Sequence, residues 1–356
     1  VIFLKKKLFY IFLMLFLIFP ISAVADSSKS SIVMDLDSGR VLYENDANHQ
    51  RLIASITKIM TAILAIENGD LDKKVIVGEE VLSMYGTNIY VEVGEKMTMR
   101  DLIYGLLLRS GNDAAVVIAK EIGGTEAKFV QMMNSKAREI GMKNTVFKNP
   151  HGLDEVTENY STAYDMALLS KYAFSNKIYR KIVATKKYEV STGKKTYLWY
   201  NRNRLLDNYK YCTGGKNGYT PSAGKTLVST ASKGNLNLTI VSLNDGDSYS
   251  NHQNLYENMF SKYHRYKIVD KDSFVVSKEF SHKNVYLKKS FYYPLTDSEI
   301  NDIRTVVHFF DSSSSDKVGV VDIYLNNQKI GNLSIYEQEK KKEQFSFFRW
   351  IKNLIG

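Results

Sequence analysis

Three short stretches of this chain carry side chains able to open and reseal an acyl bond. The first is Ile53-Ala-Ser-Ile-Thr-Lys58, in which Ser55 and Lys58 stand three residues apart and share one face of a helix. A serine hydroxyl is a poor nucleophile until a neighbouring base takes its proton. A lysine serves as that base when burial disfavours its ammonium form. A helix opening at Ser55 also aims backbone N–H groups at an oxyanion forming on the attacked carbonyl. The second stretch, Ser110-Gly111-Asn112, sets a hydroxyl and an amide at a break between two helices. The third is Gly214-Gly215-Lys216-Asn217-Gly218-Tyr219-Thr220. Its glycines let a backbone edge approach a ligand closely, and Lys216 supplies a cation for a carboxylate. Each stretch alone has a plainer reading: a helix cap with a lysine reaching solvent, a helix-breaking turn, and a hairpin.

The surrounding elements favour the chemical reading. Residues Ser55 to Glu67 form a helix apolar nearly all round (Ile56, Ile59, Met60, Ile63, Leu64, Ile66), closed by Asn68-Gly69. Such a helix is buried at the centre of a domain. Ser31 to Tyr43 reads as two short strands around an Asp-Ser-Gly turn. Thr98-Met-Arg-Asp101 resembles a capping box and opens a helix through Leu108. Further helices run from Asp113 to Ile122, Thr125 to Ile140 and Ser161 to Phe174. Strands follow at Lys187–Ser191, Thr226–Thr230 and Leu236–Leu243. Helices in the middle with strands at both ends predict an α+β domain whose antiparallel sheet gathers distant segments around a helical cluster. Near Asp270 the composition changes, and short strands at Ser273–Ser277, Asn284–Leu287, Val318–Leu325 and Lys329–Tyr336, with an Asn326-Asn327 turn, predict a small separate β-sandwich.

Taken in order, Ser-x-x-Lys, Ser-x-Asn and Lys-x-Gly match the motif set of penicillin-recognising serine enzymes. The chain resembles the low-molecular-mass penicillin-binding proteins, serine-type D-alanyl-D-alanine carboxypeptidases of the peptidase S11 kind. The stretches that carry the resemblance beyond the motifs are Val33–Tyr43, Lys58–Ala62, Leu107–Ala115, Asn149-Pro-His-Gly-Leu153 and Tyr160–Ala163. The resemblance implies a β-lactamase/transpeptidase-like catalytic domain without cofactor or metal. It implies that Ser55 attacks the carbonyl between the terminal D-alanines of a peptidoglycan stem peptide and that Lys58 accepts its proton. Ser110 passes a proton toward the leaving D-alanine, Asn112 holds the substrate backbone, and Lys216 with Asn217 and Gly218 receives the terminal carboxylate. Backbone N–H groups of Ser55 and Tyr219 form the oxyanion hole. A β-lactam, mimicking the acyl-D-Ala-D-Ala unit, traps Ser55. A DD-endopeptidase cutting cross-links, or a weakly active wall-binding protein, fits the same motifs. One departure stands at Asn217, where the family usually has threonine; its amide can donate but is longer and differently aimed. Glu155-Val-Thr-Glu-Asn159 has the spacing of a β-lactamase deacylation site, yet it adjoins carboxypeptidase-like stretches. His151, in one of those stretches, reads as structural.

The ends of the chain suggest where this chemistry takes place. Lys5-Lys6-Lys7, an apolar run from Leu8 to Ile21 and Ala23-Val24-Ala25 describe a secretory signal peptide over 1–25. The apolar run is shorter than the roughly 20 residues a membrane-crossing helix needs. Its removal leaves 45 Lys+Arg against 38 Asp+Glu, or +7. The catalytic domain is expected over 26–268 and the β-rich domain over 269–338, with a tail at 339–356. In that tail Phe347, Phe348, Trp350, Ile351, Leu354 and Ile355 share one helical face opposite Ser346, Arg349, Lys352 and Asn353. This predicts a helix lying in a membrane interface, hence a protein exported to the outer face of the bacterial cytoplasmic membrane. A single cysteine, Cys212, excludes an internal disulfide framework, and six scattered histidines argue against a zinc peptidase. No nucleic-acid partner is expected.

Overall fold

Five antiparallel strands organise the first part of the chain in a computed structural model that describes residues 26–276, 284–310 and 316–337. Their order is Val41–Asn45, Ser28–Asp35, Leu236–Asp245, Gly224–Lys233, Cys212–Thr220, so the first strands of the chain lie beside strands two hundred residues later. Register is set by pairs such as Val33 with Ile240 and Val228 with Lys216. Cys212–Thr220 is the edge strand, and one side of its backbone is left for another partner.

The helix Lys58–Asn68 lies behind this sheet in the helical cluster, and every residue from Lys58 to Ile66 is buried. That explains its lack of a polar face, since each fully buried Ile or Met there contributes about 1.5–3 kcal/mol. A short 3-10 turn, Ala54–Thr57, leads into it. Thr98 and Asp101 form the expected capping box: Asp101 N–H donates to Thr98 Oγ1 at 3.1 Å and Thr98 N–H to Asp101 Oδ2 at 3.2 Å. The helix they open, Met99–Tyr104, widens into a π turn over Gly105–Arg109 and stops at Ser110, whose φ is 66°. Helix Asn112–Gly123 then starts almost at once. The expected helix around Ser161–Phe174 spans Ala163–Ser175, capped by Thr162.

The longest helix among the described residues escaped the sequence reading, as did the shorter Lys177–Val183 and Leu205–Asn208. Ser248–Lys262 packs on the sheet through buried His252, Leu255, Tyr256, Met259 and Phe260. Its buried polar groups are matched by the strands: Ser229 Oγ lies 2.7 Å from His252 Nδ1 and 2.8 Å from Tyr256 Oη, and Ser242 Oγ lies 2.9 Å from His252 Nε2.

The first compact unit ends at Phe260 and the second begins at Ser261. The boundary expected after residue 268 therefore shifts. Strand His264–Val269 pairs with Phe291–Leu295, so the chain enters the β-rich unit as soon as helix Ser248–Lys262 ends. The second unit also contains a four-stranded sheet in the order Val285–Leu287, Gln328–Glu337, Lys317–Leu325, Ile303–Phe309. Val269, Leu287, Val321, Ile323, Leu333 and Ile335 form its core, with Phe291 packed against them. Asn326 and Asn327, at φ 49° and 66°, make the expected tight turn. No strand forms over 273–276, and residue 277 lies outside the described residues, as do the expected signal peptide 1–25 and the amphipathic tail 339–356. Among the described residues no helix is long and apolar enough to cross a membrane.

Candidate active site

Ser55 sits on the turn Ala54–Thr57, and the residue before it carries strain. Ala54 has φ 48°, in the left-handed region that a side chain with Cβ rarely adopts. The strain is held in place by Gly152, whose φ is 88° and whose missing Cβ would stand 1.9 Å from Ala54 O. Only glycine fits there, so the loop Asn149–Leu153 presses directly on the backbone of the turn Ala54–Thr57. That loop is locked from within. Asn149 Oδ1 accepts the N–H groups of His151 and Gly152 at 3.2 and 2.6 Å, and Asn159 Oδ1 accepts those of Lys148 and Asn149 at 2.7 and 3.1 Å. Asn159 Nδ2 also donates to Thr57 Oγ1 at 3.0 Å, tying the loop back to the turn.

Lys58 is completely buried, and its Nζ has three partners. It hydrogen-bonds to Ser55 Oγ at 2.9 Å, Asn112 Oδ1 at 2.7 Å and the carbonyl oxygen of His151 at 2.6 Å. Asn112 is oriented by its other end, where Nδ2 donates to Tyr85 O at 2.7 Å. None of the three partners is a carboxylate. Burial, reinforced by the charge of Lys216, pushes Lys58 well below the ordinary lysine value, against the opposing pull of Asp113. Asp113 is itself occupied in holding the opposite rim, accepting from Ile89 and Tyr90 N–H at 3.0 and 2.7 Å. His151 is neutral: burial, then Lys58, lowers its ring to about 3, and its Nδ1 accepts the Leu153 N–H at 3.1 Å.

The edge strand forms the facing wall. Gly218 comes so close to the nucleophile turn that a Cβ would meet Ser55 N at 2.8 Å and Thr226 Oγ1 at 2.6 Å. Thr226 Oγ1 in turn donates to Ile53 O at 3.0 Å, fastening the turn to the sheet. Lys216 is buried, hydrogen-bonds to Asn217 O, and is lowered to about 7 by burial and then by Arg202. Asn217 lines an open cleft of about 660 Å³ with Gly218, Tyr219 and Arg202. The Tyr219 side chain is exposed at the edge of this cleft. At the strand's end Thr220 Oγ1 donates to Asp154 Oδ2 at 2.6 Å, joining this wall to the loop beneath Ser55.

Ser55, Lys58 and Asn112 are thus directly bonded, with Gly218 against the Ser55 backbone and Lys216 near enough to influence Lys58. Ser110 is buried two residues before Asn112; among the described residues no hydrogen bond links it to Ser55 or Lys58. Two contributors went unnoticed in the sequence. The His151 carbonyl gave no signal because backbone oxygens carry no residue type. Arg202 sat in an unremarkable polar segment, Asn201–Arg204, yet it bears on both lysines and reaches Thr87 Oγ1 at 3.2 Å. Glu155, the false β-lactamase match, instead places its charge near the Tyr85 hydroxyl, which burial and then that charge push above its ordinary value.

The first unit is thus an α+β sheet-and-helix domain in which a buried lysine hydrogen-bonds to a serine. Residues 20–247 match the model of the peptidase S11 family, D-alanyl-D-alanine carboxypeptidase, and the chain belongs to that family. Over 224 residues it is 42% identical to the D-alanyl-D-alanine carboxypeptidase DacF of Bacillus subtilis, covering 60% of this chain but only 57% of DacF. Among solved structures it is similar to the D-alanyl-D-alanine carboxypeptidase DacD of Francisella tularensis, with a TM-score of 0.71 and 25% identity over 91% of this chain and 95% of that one. It is also similar to penicillin binding protein 6B of Escherichia coli, with a TM-score of 0.69 and 25% identity over 87% and 95% of the two chains.

Proposed function

We propose that the chain is a serine-type D-Ala-D-Ala carboxypeptidase that removes the last D-alanine from peptidoglycan stem pentapeptides and is trapped by β-lactams. The observation that carries this reading is the coordination of Lys58. A neutral amine has two hydrogens and one lone pair. Asn112 Oδ1 and the His151 carbonyl are both acceptors, so the two hydrogens go to them and the lone pair is left for the Ser55 hydroxyl. Lys58 is therefore the base and Ser55 the nucleophile. The attacked carbonyl oxygen lies between the N–H groups of Ser55 and Tyr219, an arrangement supported by the close approach of Gly218 to Ser55 N. The substrate runs along the free edge of strand Cys212–Thr220. Lys216 and Arg202, with Asn217, receive the terminal carboxylate. Ser110 relays the proton to the leaving amine, and water then releases the acyl group.

The working place we infer is the outer face of the cytoplasmic membrane, reached by export and held through the amphipathic tail. The test of the activity is mass spectrometry of the purified protein after exposure to penicillin and, separately, to a D-Ala-D-Ala pentapeptide. A penicilloyl group on Ser55 together with free D-alanine is the expected result. An adduct without D-alanine release leaves only a penicillin-binding wall protein, and no adduct overturns the assignment of the nucleophile.

A further inference from the structure

A second cavity, of about 420 Å³, lies apart from the cleft and shares no residue with it. Two elements that continue toward the active site help to wall it. Tyr104 closes helix Met99–Tyr104 and is followed at once by the π turn that stops at Ser110. Lys177, Ile178, Lys181 and Ile182 come from helix Lys177–Val183. That helix presses on the edge strand, since a Cβ on Gly214 would stand 2.5 Å from Val183 Cγ2. Arg100 and Tyr188 complete the lining.

Three cations and no acid line this space. Lys177 and Lys181 are exposed and four residues apart on one helix face, and neither has an ion-pair partner among the described residues. Arg100 gives Nε and Nη2 to Asp72 Oδ1 at 3.2 and 2.9 Å, which leaves Nη1 without a partner among the described residues. Tyr104 adds an independent sign. It is only 6% exposed, yet its hydroxyl makes no hydrogen bond among the described residues. The hydroxyl of neighbouring Tyr188, by contrast, donates to Asp101 Oδ1 at 2.6 Å. A nearly buried donor without an acceptor is costly, and an oxyanion among three cations supplies the acceptor it lacks.

The rest of the lining selects the body that carries the anion. An oxyanion alone fills a small part of about 420 Å³, a volume within the range that encloses a whole small molecule. Tyr188 stacks on Tyr104 with ring centroids 3.7 Å apart and planes 6° apart, so no planar base enters between them. Apolar lining comes only from Ile178, partly exposed, and Ile182, buried, which is too little for a lipid chain. A compact ring with hydroxyls on its rim and one C–H face against Ile178 fits both limits.

We propose that this cavity binds an anionic sugar, a hexose-sized ring whose carboxylate or phosphate is held by Arg100, Lys177, Lys181 and the Tyr104 hydroxyl. The site goes beyond the reading of Ser55 and does not depend on it. To test it, the full chain is titrated at low ionic strength with glucose 6-phosphate, glucuronic acid, glucose and inorganic phosphate. Binding is followed by calorimetry and by saturation transfer to the sugar protons. Saturable binding of at least one anionic sugar and none of glucose is expected, and the one that binds tells phosphate from carboxylate. The variant K177E/K181E should weaken that binding about tenfold, the scale of two exposed charge contacts reversed in sign. Y104F, which keeps the ring stack, should weaken it about fivefold, the scale of one hydrogen bond. Both variants should keep the cooperative melting of the native chain, so that lost binding is not lost fold. No saturable binding of either anionic sugar, or native affinity in either variant, overturns the inference. Equal affinity for glucose, or for inorganic phosphate and glucose 6-phosphate, also overturns it, because the cavity then reads the ring or the charge alone.

Discussion

Each wall of the cleft contains a buried lysine, and the two are coordinated in opposite ways. Lys58, on the helix wall, meets three oxygen atoms fixed by the fold, and their geometry leaves its lone pair one direction in which to point. Lys216, on the edge strand, meets only the carbonyl oxygen of its neighbour Asn217 among the described residues. Both are stripped of water, but only the first has its full set of partners. A saturated lysine is suited to moving a proton along a set line, and an undersupplied one to receiving an anion. On the proposed assignment, one residue type supplies two functions through the number of acceptors around it.

The comparison breaks most severely at Lys58. Replacing it by methionine keeps the volume, removes the base and leaves Asn112 Oδ1 and the His151 carbonyl unpaired. The rate of penicilloylation, followed by mass spectrometry, should fall by about 10²–10⁴-fold. Retention of near-native acylation would show that another group takes the Ser55 proton.

Lys216→Met should separate function from stability. The Lys216 ammonium is disfavoured by burial, and its folded value of about 7 lies below the ordinary 10.5. Between those values the unfolded chain holds a proton that the folded chain has released, so this group makes stability rise with pH through that window and cost most below it. The methionine variant should therefore melt higher than the native protein at pH 6, with the difference shrinking toward pH 10, while KM for the pentapeptide rises. In the native protein KM should also climb above about pH 7, as the cation that meets the carboxylate is lost. A substrate ester lacking a carboxylate should show no such climb. A lower melting point for the variant at pH 6 would mean that Lys216 is compensated in the folded chain.

Asn217→Thr sharpens the comparison with the smallest change. It exchanges a long amide for a short hydroxyl beside Lys216. The expected outcome is a several-fold gain in kcat/KM on the pentapeptide, the scale of one hydrogen bond at about 1 kcal/mol. An unchanged value would show that Asn217 already aims its amide as threonine would aim its hydroxyl.

Much of this site could be read from the sequence because its motifs are local. Ser55 and Lys58 are one helical turn apart, Ser110 and Asn112 flank one break, and Lys216 to Tyr219 share one strand. The apolar helix behind Lys58 announced its own burial, and the capping box at Thr98 marked a helix start correctly. What escaped was non-local or untyped. The His151 carbonyl acts through a backbone atom 93 residues from Lys58. Arg202 acquires its role only when the fold brings Asn201–Arg204 to the cleft. Helix Ser248–Lys262 was hidden because its buried face mixes Ser248, Asn251 and His252 with apolar residues, and those polar groups are satisfied by strands not adjacent in sequence. Strand His264–Val269 was not read at all, for the same reason: its partner, Phe291–Leu295, was itself unrecognised.

The peptide unit joining His151 to Gly152 touches both Lys58 and the turn that carries Ser55. Its carbonyl holds Lys58, and its glycine Cα lies against the carbonyl of Ala54, one residue before Ser55. A displacement of this one unit misaligns the serine and alters the proton affinity of the lysine together, so the two defects share a single origin. On the proposed assignment, a variant that loosens this unit loses acylation by a β-lactam and by the peptide substrate in the same measure.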